Sequence, residues 1–98
     1  MYNSIDIKEI DRININTENL LIDIRDKYEY LLSHIKYAIN IPYTYILTFP
    51  DKYLDFNKTY YIYCECGSKS KKAVDYLSKM GYKVIDLIGG YREYIDYK

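Results

Sequence analysis

Two cysteines, Cys64 and Cys66, are the residues of this 98-residue chain best suited to covalent chemistry. They lie in Tyr61-Ile62-Tyr63-Cys64-Glu65-Cys66-Gly67-Ser68-Lys69-Ser70. A β-rich run (Tyr60 to Tyr63) ends on Cys64, a short polar loop with one glycine follows, and a helical pattern opens at Ser70. A thiolate is easiest to make at the C-terminal end of a strand just before a helix. The loop's backbone N–H groups and the positive end of the helix dipole both favour negative charge there. The thiolate, not the thiol, is the nucleophile, so this placement points to sulfur chemistry at Cys64. A free cysteine is otherwise a small buried hydrophobe. The Gly67-Ser68-Lys69-Ser70 run that follows at once favours function over filler.

Cys66 has two readings: a resolving thiol or second sulfur acceptor, or a small residue that fits a tight loop. The second is favoured. A structural disulfide across i, i+2 would be strained and would close almost no loop. Two close thiols and His34, without a second ligand pair at zinc spacing, do not make a metal site, and no metal is expected.

The elements that must position Cys64 can be read around it. Ile5, Ile7, Ile10 and Ile13 fit a short strand running into a helix. Leu20-Leu21-Ile22-Asp23-Ile24 is a continuous apolar run closed by charges, as in a parallel-sheet strand covered on both faces. Asp26 is placed to cap a helix over Lys27 to Leu32. Ala38 to Ile41 reads as a short strand stopped by Pro42, and Pro42 to Asp55 as short helical turns around Pro50. Ser70 to Met80 is the clearest helix, with Ala73, Val74, Leu77 and Met80 on one face and Gly81 in the C′ position. Tyr82 to Leu87 reads as a strand, Gly89-Gly90 as a turn and Tyr91 to Tyr97 as a final helix. Alternating strands and helices with short connections predict one compact α/β domain over 1–98, a mainly parallel sheet with helices on both faces. In such sheets the site lies outside the C-terminal strand ends, where Cys64 sits.

Composition narrows the partners. Fourteen basic and 14 acidic residues balance, so the clustered positive charge of a nucleic-acid binder is missing. No apolar run approaches the ~20 residues that span a bilayer. Met1 to Asp6 has neither a basic nor an apolar signal region, so reduced thiols in the cytoplasm are expected. The 15 tyrosines beside many Ile, Lys and Asn residues fit AT-rich codon usage better than a stacking platform.

Taken in order, four segments of the chain resemble the rhodanese-like domain family over nearly its whole length. Leu21-Ile22-Asp23-Ile24-Arg25-Asp26 resembles the family's first strand motif, with its Asp-x-Arg. Glu29-Tyr30, His34-Ile35 and Ala38-Ile39-Asn40-Ile41-Pro42 resemble the stretch that follows. Cys64 to Ser70 stands where the family carries its active-site loop, and Gly89-Gly90-Tyr91 resembles the turn before its last helix. The resemblance implies a five-stranded parallel sheet and sulfurtransferase chemistry, with no metal or organic cofactor. Cys64 would take sulfane sulfur from thiosulfate, polysulfide or a persulfide and pass it to a small or protein thiol. The backbone of Glu65, Cys66, Gly67, Ser68 and Lys69, running into Ser70, would cradle the anion, with Lys69 in a usually basic position. Asp23, Arg25, His34, Gly89 and Gly90 would be structural supports rather than reacting groups.

Glu65 departs from the resemblance, since Arg often follows the nucleophile. At ~6 Å and an effective dielectric of ~20 it opposes the thiolate by roughly 3 kcal/mol before salt screening. Lys69 is expected to cancel it, leaving loop amides and helix dipole to decide, worth about 1–2 kcal/mol. A moderately activated thiolate with poor attraction for dianionic thiosulfate is expected. Cysteine phosphatases and arsenate reductases resemble this fold too, but need a longer loop ending in Arg for paired hydrogen bonds to an oxyanion. A non-catalytic binding or regulatory module is the remaining alternative. Glu65 favours it and the retained Cys64 opposes it.

Overall fold

The computed structural model describes residues 3–98. Met1 and Tyr2, part of the segment read for an export signal, lie outside the described residues. Five strands form one sheet: β1 (Asn3–Asp6), β2 (Asn19–Asp23), β3 (Ile39–Asn40), β4 (Thr59–Tyr63) and β5 (Lys83–Ile88). Their order is β1-β5-β4-β2-β3, and every pairing is parallel rather than mainly so. A 3-10 helix (Ile7–Arg12) follows β1. The helices are α1 (Lys27–Leu32), α2 (Tyr43–Thr48), α3 (Pro50–Tyr53), α4 (Ser68–Lys79) and α5 (Gly90–Tyr97).

The period-2 alternation of the strands divides the core. Ile22, Ile62 and Val84 face α2 to α4, where Ile46, Leu54, Ala73, Val74 and Leu77 cover them. Leu21, Tyr63 and Leu87 face the other way, under Ile7, Ile10, Ile35 and Tyr91. Both faces are therefore dry, which explains why β2 is continuously apolar. Each fully buried Ile or Leu contributes about 1.5–3 kcal/mol.

Several details differ from the sequence reading. The helix expected over Ser70 to Met80 begins at Ser68, because Gly67 at φ +101° turns the chain into it two residues sooner. Met80 leaves the apolar face and is 44% exposed, since α4 ends at Lys79 and Gly81 swings the chain away. The strand expected over Ala38 to Ile41 shrinks to Ile39–Asn40 at the sheet edge, and Ala38 instead packs beneath the sheet. Asp26 occupies the N-cap of α1 but makes no side-chain capping bond. No helix of the described residues is long and apolar enough to cross a membrane.

Candidate active site

β4 carries its last paired residue, Tyr63, to the sheet's C-terminal edge, and Cys64 follows at once. The carbonyls of Cys64 and Glu65 accept from the N–H groups of Tyr91 (2.8 Å) and Arg92 (2.9 Å) in the first turn of α5. The loop's carbonyls are thereby turned towards α5. On the other side its N–H groups converge on sulfur: Gly67 donates to Cys64 Sγ at 3.0 Å and Ser70 at 3.3 Å. Cys64 is 3% exposed, so sulfur sits at the floor of the loop, against the N-terminus of a 12-residue helix. Two converging amides and a helix dipole give an anion on Cys64 a fixed electrostatic seat without any metal.

Above the sulfur lies a cleft of about 180 Å³, lined among others by Ile24, Arg25, Asp26, Glu29, Pro42, Tyr43, Glu65, Cys66 and Lys69. Lys69 is exposed and its ammonium stands 5.6 Å from the Tyr43 ring centroid. Cys66 is a free, exposed thiol between this cleft and a second one formed by Lys8, Gly89, Arg92 and Glu93. Ser68 opens α4 and is exposed.

Asp23 and Arg25 form a buried ion pair below the cleft. Arg25 Nε and Nη2 donate to the Asp23 carboxylate at 2.9–3.2 Å, with the Arg25 backbone N–H at 2.8 Å. Tyr63 adds its hydroxyl to Asp23 at 2.6 Å and accepts from the Ile35 N–H at 3.2 Å. Burial, and then Asp23, push the Tyr63 hydroxyl far above the ordinary phenol range, so it stays a donor. Burial opposes the Arg25 charge, but the bonds and charge of Asp23 more than offset this and hold its pKa above the usual value. Arg25 Nη2 also donates to the Ser33 carbonyl at 2.6 Å, and its guanidinium lies 4.1 Å over the Tyr91 ring. One arginine thus ties β2, the turn after α1, and α5 together.

Glu65 does not pair with Lys69. Its carboxylate lies 3.4 Å from Arg25 Nη1 and 3.8 Å from Arg92 Nε. Beyond the opposing charge expected of Lys69, two arginines sit against Glu65 and hold its charge at the rim. The partners lie 40 residues before and 27 after, which loop spacing alone does not reveal.

His34 is exposed, stacked on Tyr30 with ring centroids 3.8 Å apart, with Nδ1 2.8 Å from the Tyr30 carbonyl oxygen. It is not among the residues lining the Cys64 cleft. Gly89 and Gly90 have φ of +102° and +71°, and a Cβ on Gly90 would lie 2.7 Å from the Glu65 carbonyl oxygen. That close approach lets α5 reach the loop.

Three residues escaped the sequence reading: Arg92, Tyr63 and Asp86. Ser70 Oγ donates to Asp86 Oδ1 at 2.6 Å, and Asp86 is 2% exposed. Burial raises the Asp86 carboxyl above the ordinary carboxylate range, against the opposing effects of Ser70 and of the Lys71 charge. The available signal was an acid interrupting the apolar strand Val84-Ile85-Asp86-Leu87-Ile88.

Residues 7–97 match the rhodanese-like domain. Among relatives, the thiosulfate sulfurtransferase PspE of Escherichia coli is 35% identical over 77 residues, covering 74% of this chain and 70% of that protein. The tRNA uridine(34) hydroxylase of Buchnera aphidicola is 31% identical over 97 residues, covering 90% of this chain but 30% of its own length. The chain thus spans about a third of that relative. A solved rhodanese-related protein of Thermoplasma volcanium superposes with a TM-score of 0.79 at 29% identity, covering 97% of this chain and 92% of the other. A five-stranded parallel sheet, a cysteine loop leading into α4 and a match across residues 7–97 agree: this chain belongs to the rhodanese-like domain family.

Proposed function

We propose that this chain is a sulfurtransferase in which Cys64 carries sulfane sulfur as a persulfide. The observation that supports this best is the pair of N–H groups, from Gly67 and Ser70, aimed at Cys64 Sγ beneath an open cleft. The Cys64 thiolate attacks the outer sulfur of a donor persulfide. The donor S–S bond breaks, its thiolate leaves, and Cys64–S–S⁻ remains. An acceptor thiolate then attacks the outer sulfur and restores the Cys64 thiolate. The same amides that hold the first anion serve the second.

The cleft's charges favour donors other than thiosulfate. Asp26, Glu29 and Glu65 line it against Lys69 and Arg25, and Arg25 is already bound by Asp23 and Glu65. Singly charged polysulfides and persulfides meet less repulsion there than a dianion. The acceptors are small thiols or protein thiols that fit the rim.

The test is intact-mass measurement after treatment with polysulfide. A gain of one sulfur, lost on adding a thiol and missing from a folded Cys64→Ser variant, is the expected result. No adduct on the wild-type chain would overturn the proposal and leave a binding module. Transfer surviving in Cys64→Ser would move the chemistry to Cys66.

A further inference from the structure

Ser70 has one hydroxyl proton with two acceptors within reach, and its oxygen accepts from the Cys64 thiol. Asp86 Oδ1 lies at 2.6 Å, the Gly67 carbonyl oxygen at 3.2 Å and Cys64 Sγ at 3.5 Å. Cys64, Ser70 and Asp86 are 3%, 0% and 2% exposed, so water does not add a second donor freely. If the Cys64 sulfur and the Asp86 carboxylate were both ionised, two buried anions would compete for that single proton. The amides of Gly67 and Ser70 still serve sulfur, but the Asp86 carboxylate has the Ser70 hydroxyl as its donor, and a second buried anion beside the first is strongly disfavoured.

We propose that Asp86 holds the Cys64 proton, reached through Ser70, so that sulfur and carboxylate share one negative charge. This rests on the reading of Cys64 as the reacting sulfur. The Cys64 S–H bond breaks and that proton bonds to Ser70 Oγ. Ser70 releases its own proton to Asp86 Oδ1, leaving a thiolate, a neutral hydroxyl and a carboxylic acid. No electron changes hands and no co-reactant is needed. Asp86 touches no substrate and acts through Ser70, which makes it a positioning residue for the proton.

The groups facing this pair are few. Lys71, in the first turns of α4, is the cation acting on Asp86. The register neighbours of Asp86 are Ile62 on β4 and Ser4 on β1, neither of them charged. On the Cys64 side Arg25, Asp26, Glu29, Glu65, Cys66 and Lys69 line the cleft, with Glu65 bound to Arg25. The burial that pushes the Asp86 carboxyl upward suits a proton holder.

The test is the rate of Cys64 alkylation by iodoacetamide against pH, in a Cys66→Ser background so that one thiol is read. The expected profile rises in two steps, more than about one pH unit apart, with a plateau between them. Asp86→Asn still accepts the Ser70 hydroxyl but takes no proton, and should collapse the profile to one step. Ser70→Thr keeps the hydroxyl and should retain two. As a second measurement, the infrared carboxylic-acid band of Asp86 should disappear in two steps when Cys64 is present and in one in Cys64→Ser. A single alkylation step in the parent, or a band lost in one step with Cys64 present, overturns the relay. Alkylation requires no persulfide, so two steps without sulfur uptake would refute the proposed function and leave the relay standing.

Discussion

Gly90→Ala tests whether the reactive loop depends on its attachment to α5. An added Cβ would lie 2.7 and 2.8 Å from the carbonyl oxygens of Glu65 and Cys64 and 2.9 Å from the Glu65 carbonyl carbon. These are backbone atoms and cannot swing aside as a side chain would. Holding alanine at φ +71° costs about 1–2 kcal/mol. Relief of the clash must pull the loop off α5, lengthening the 2.8 and 2.9 Å bonds to Tyr91 and Arg92, each worth ~0.5–1.5 kcal/mol. The destabilisation should reach about 2–5 kcal/mol. Gly81→Ala is the internal control. Its φ is +101°, but its Cβ would first meet Phe56 at an ordinary 3.6 Å, so only the backbone strain of about 1–2 kcal/mol applies. Urea unfolding reads the stabilities, while iodoacetamide reactivity of Cys64 and persulfide transfer read the site. A shift approaching 1 Å in the loop should slow transfer by up to about 100-fold in Gly90→Ala. Gly81→Ala should transfer sulfur as the parent does. Equal stability loss and equal transfer in the two variants would refute the attachment of the loop to α5.

Other outcomes follow from the same geometry. Cys66→Ser should retain turnover within about tenfold, ~1.4 kcal/mol in barrier, and a loss as deep as that of Cys64→Ser would establish a two-cysteine relay. Glu65→Gln should raise kcat/KM for thiosulfate about fivefold at low ionic strength, the effect of ~1 kcal/mol on a dianion some 8 Å away in a watery cleft. That gain should fade with added salt and be smaller for a singly charged polysulfide; a salt-independent change would refute the electrostatic account. Because burial raises the Asp86 pKa, the folded state binds its proton more tightly than the unfolded chain does. Its stabilising contribution is complete below the ordinary carboxylate range and is lost as pH rises through the folded value. Asp86→Asn should therefore gain stability relative to the parent as pH rises above the ordinary carboxylate range, and a pH-independent difference in urea unfolding would contradict it.

Much of the positioning frame was legible because its signals are local. The run Leu20 to Ile24 announced a doubly covered strand, and Ala73, Val74 and Leu77 announced the buried face of α4. Cys64 at a strand end was visible for the same reason. What stayed hidden depends on partners far apart in sequence. Glu65 meets Arg25 and Arg92, and Ser70 meets Asp86, only after β5 lies beside β4. The helix α1 spans Lys27–Leu32 as expected, and its Tyr28, Leu31 and Leu32 stay 67–73% exposed, which the apolar residue types alone do not signal.

The anchorage of the Cys64 and Glu65 carbonyls on α5 also sets an order of events during synthesis. Cys64 leaves the ribosome 26 residues ahead of Gly90, so the nascent chain exposes its thiol before the helix that shapes its surroundings exists. Through that interval Cys64 reacts as a cysteine of an unstructured peptide. Only after β5 has paired and α5 has docked do the amides of Gly67 and Ser70 converge on sulfur. The reactivity proposed for Cys64 therefore waits on the downstream third of the domain, and a chain interrupted before residue 90 lacks the α5 contacts that hold the loop.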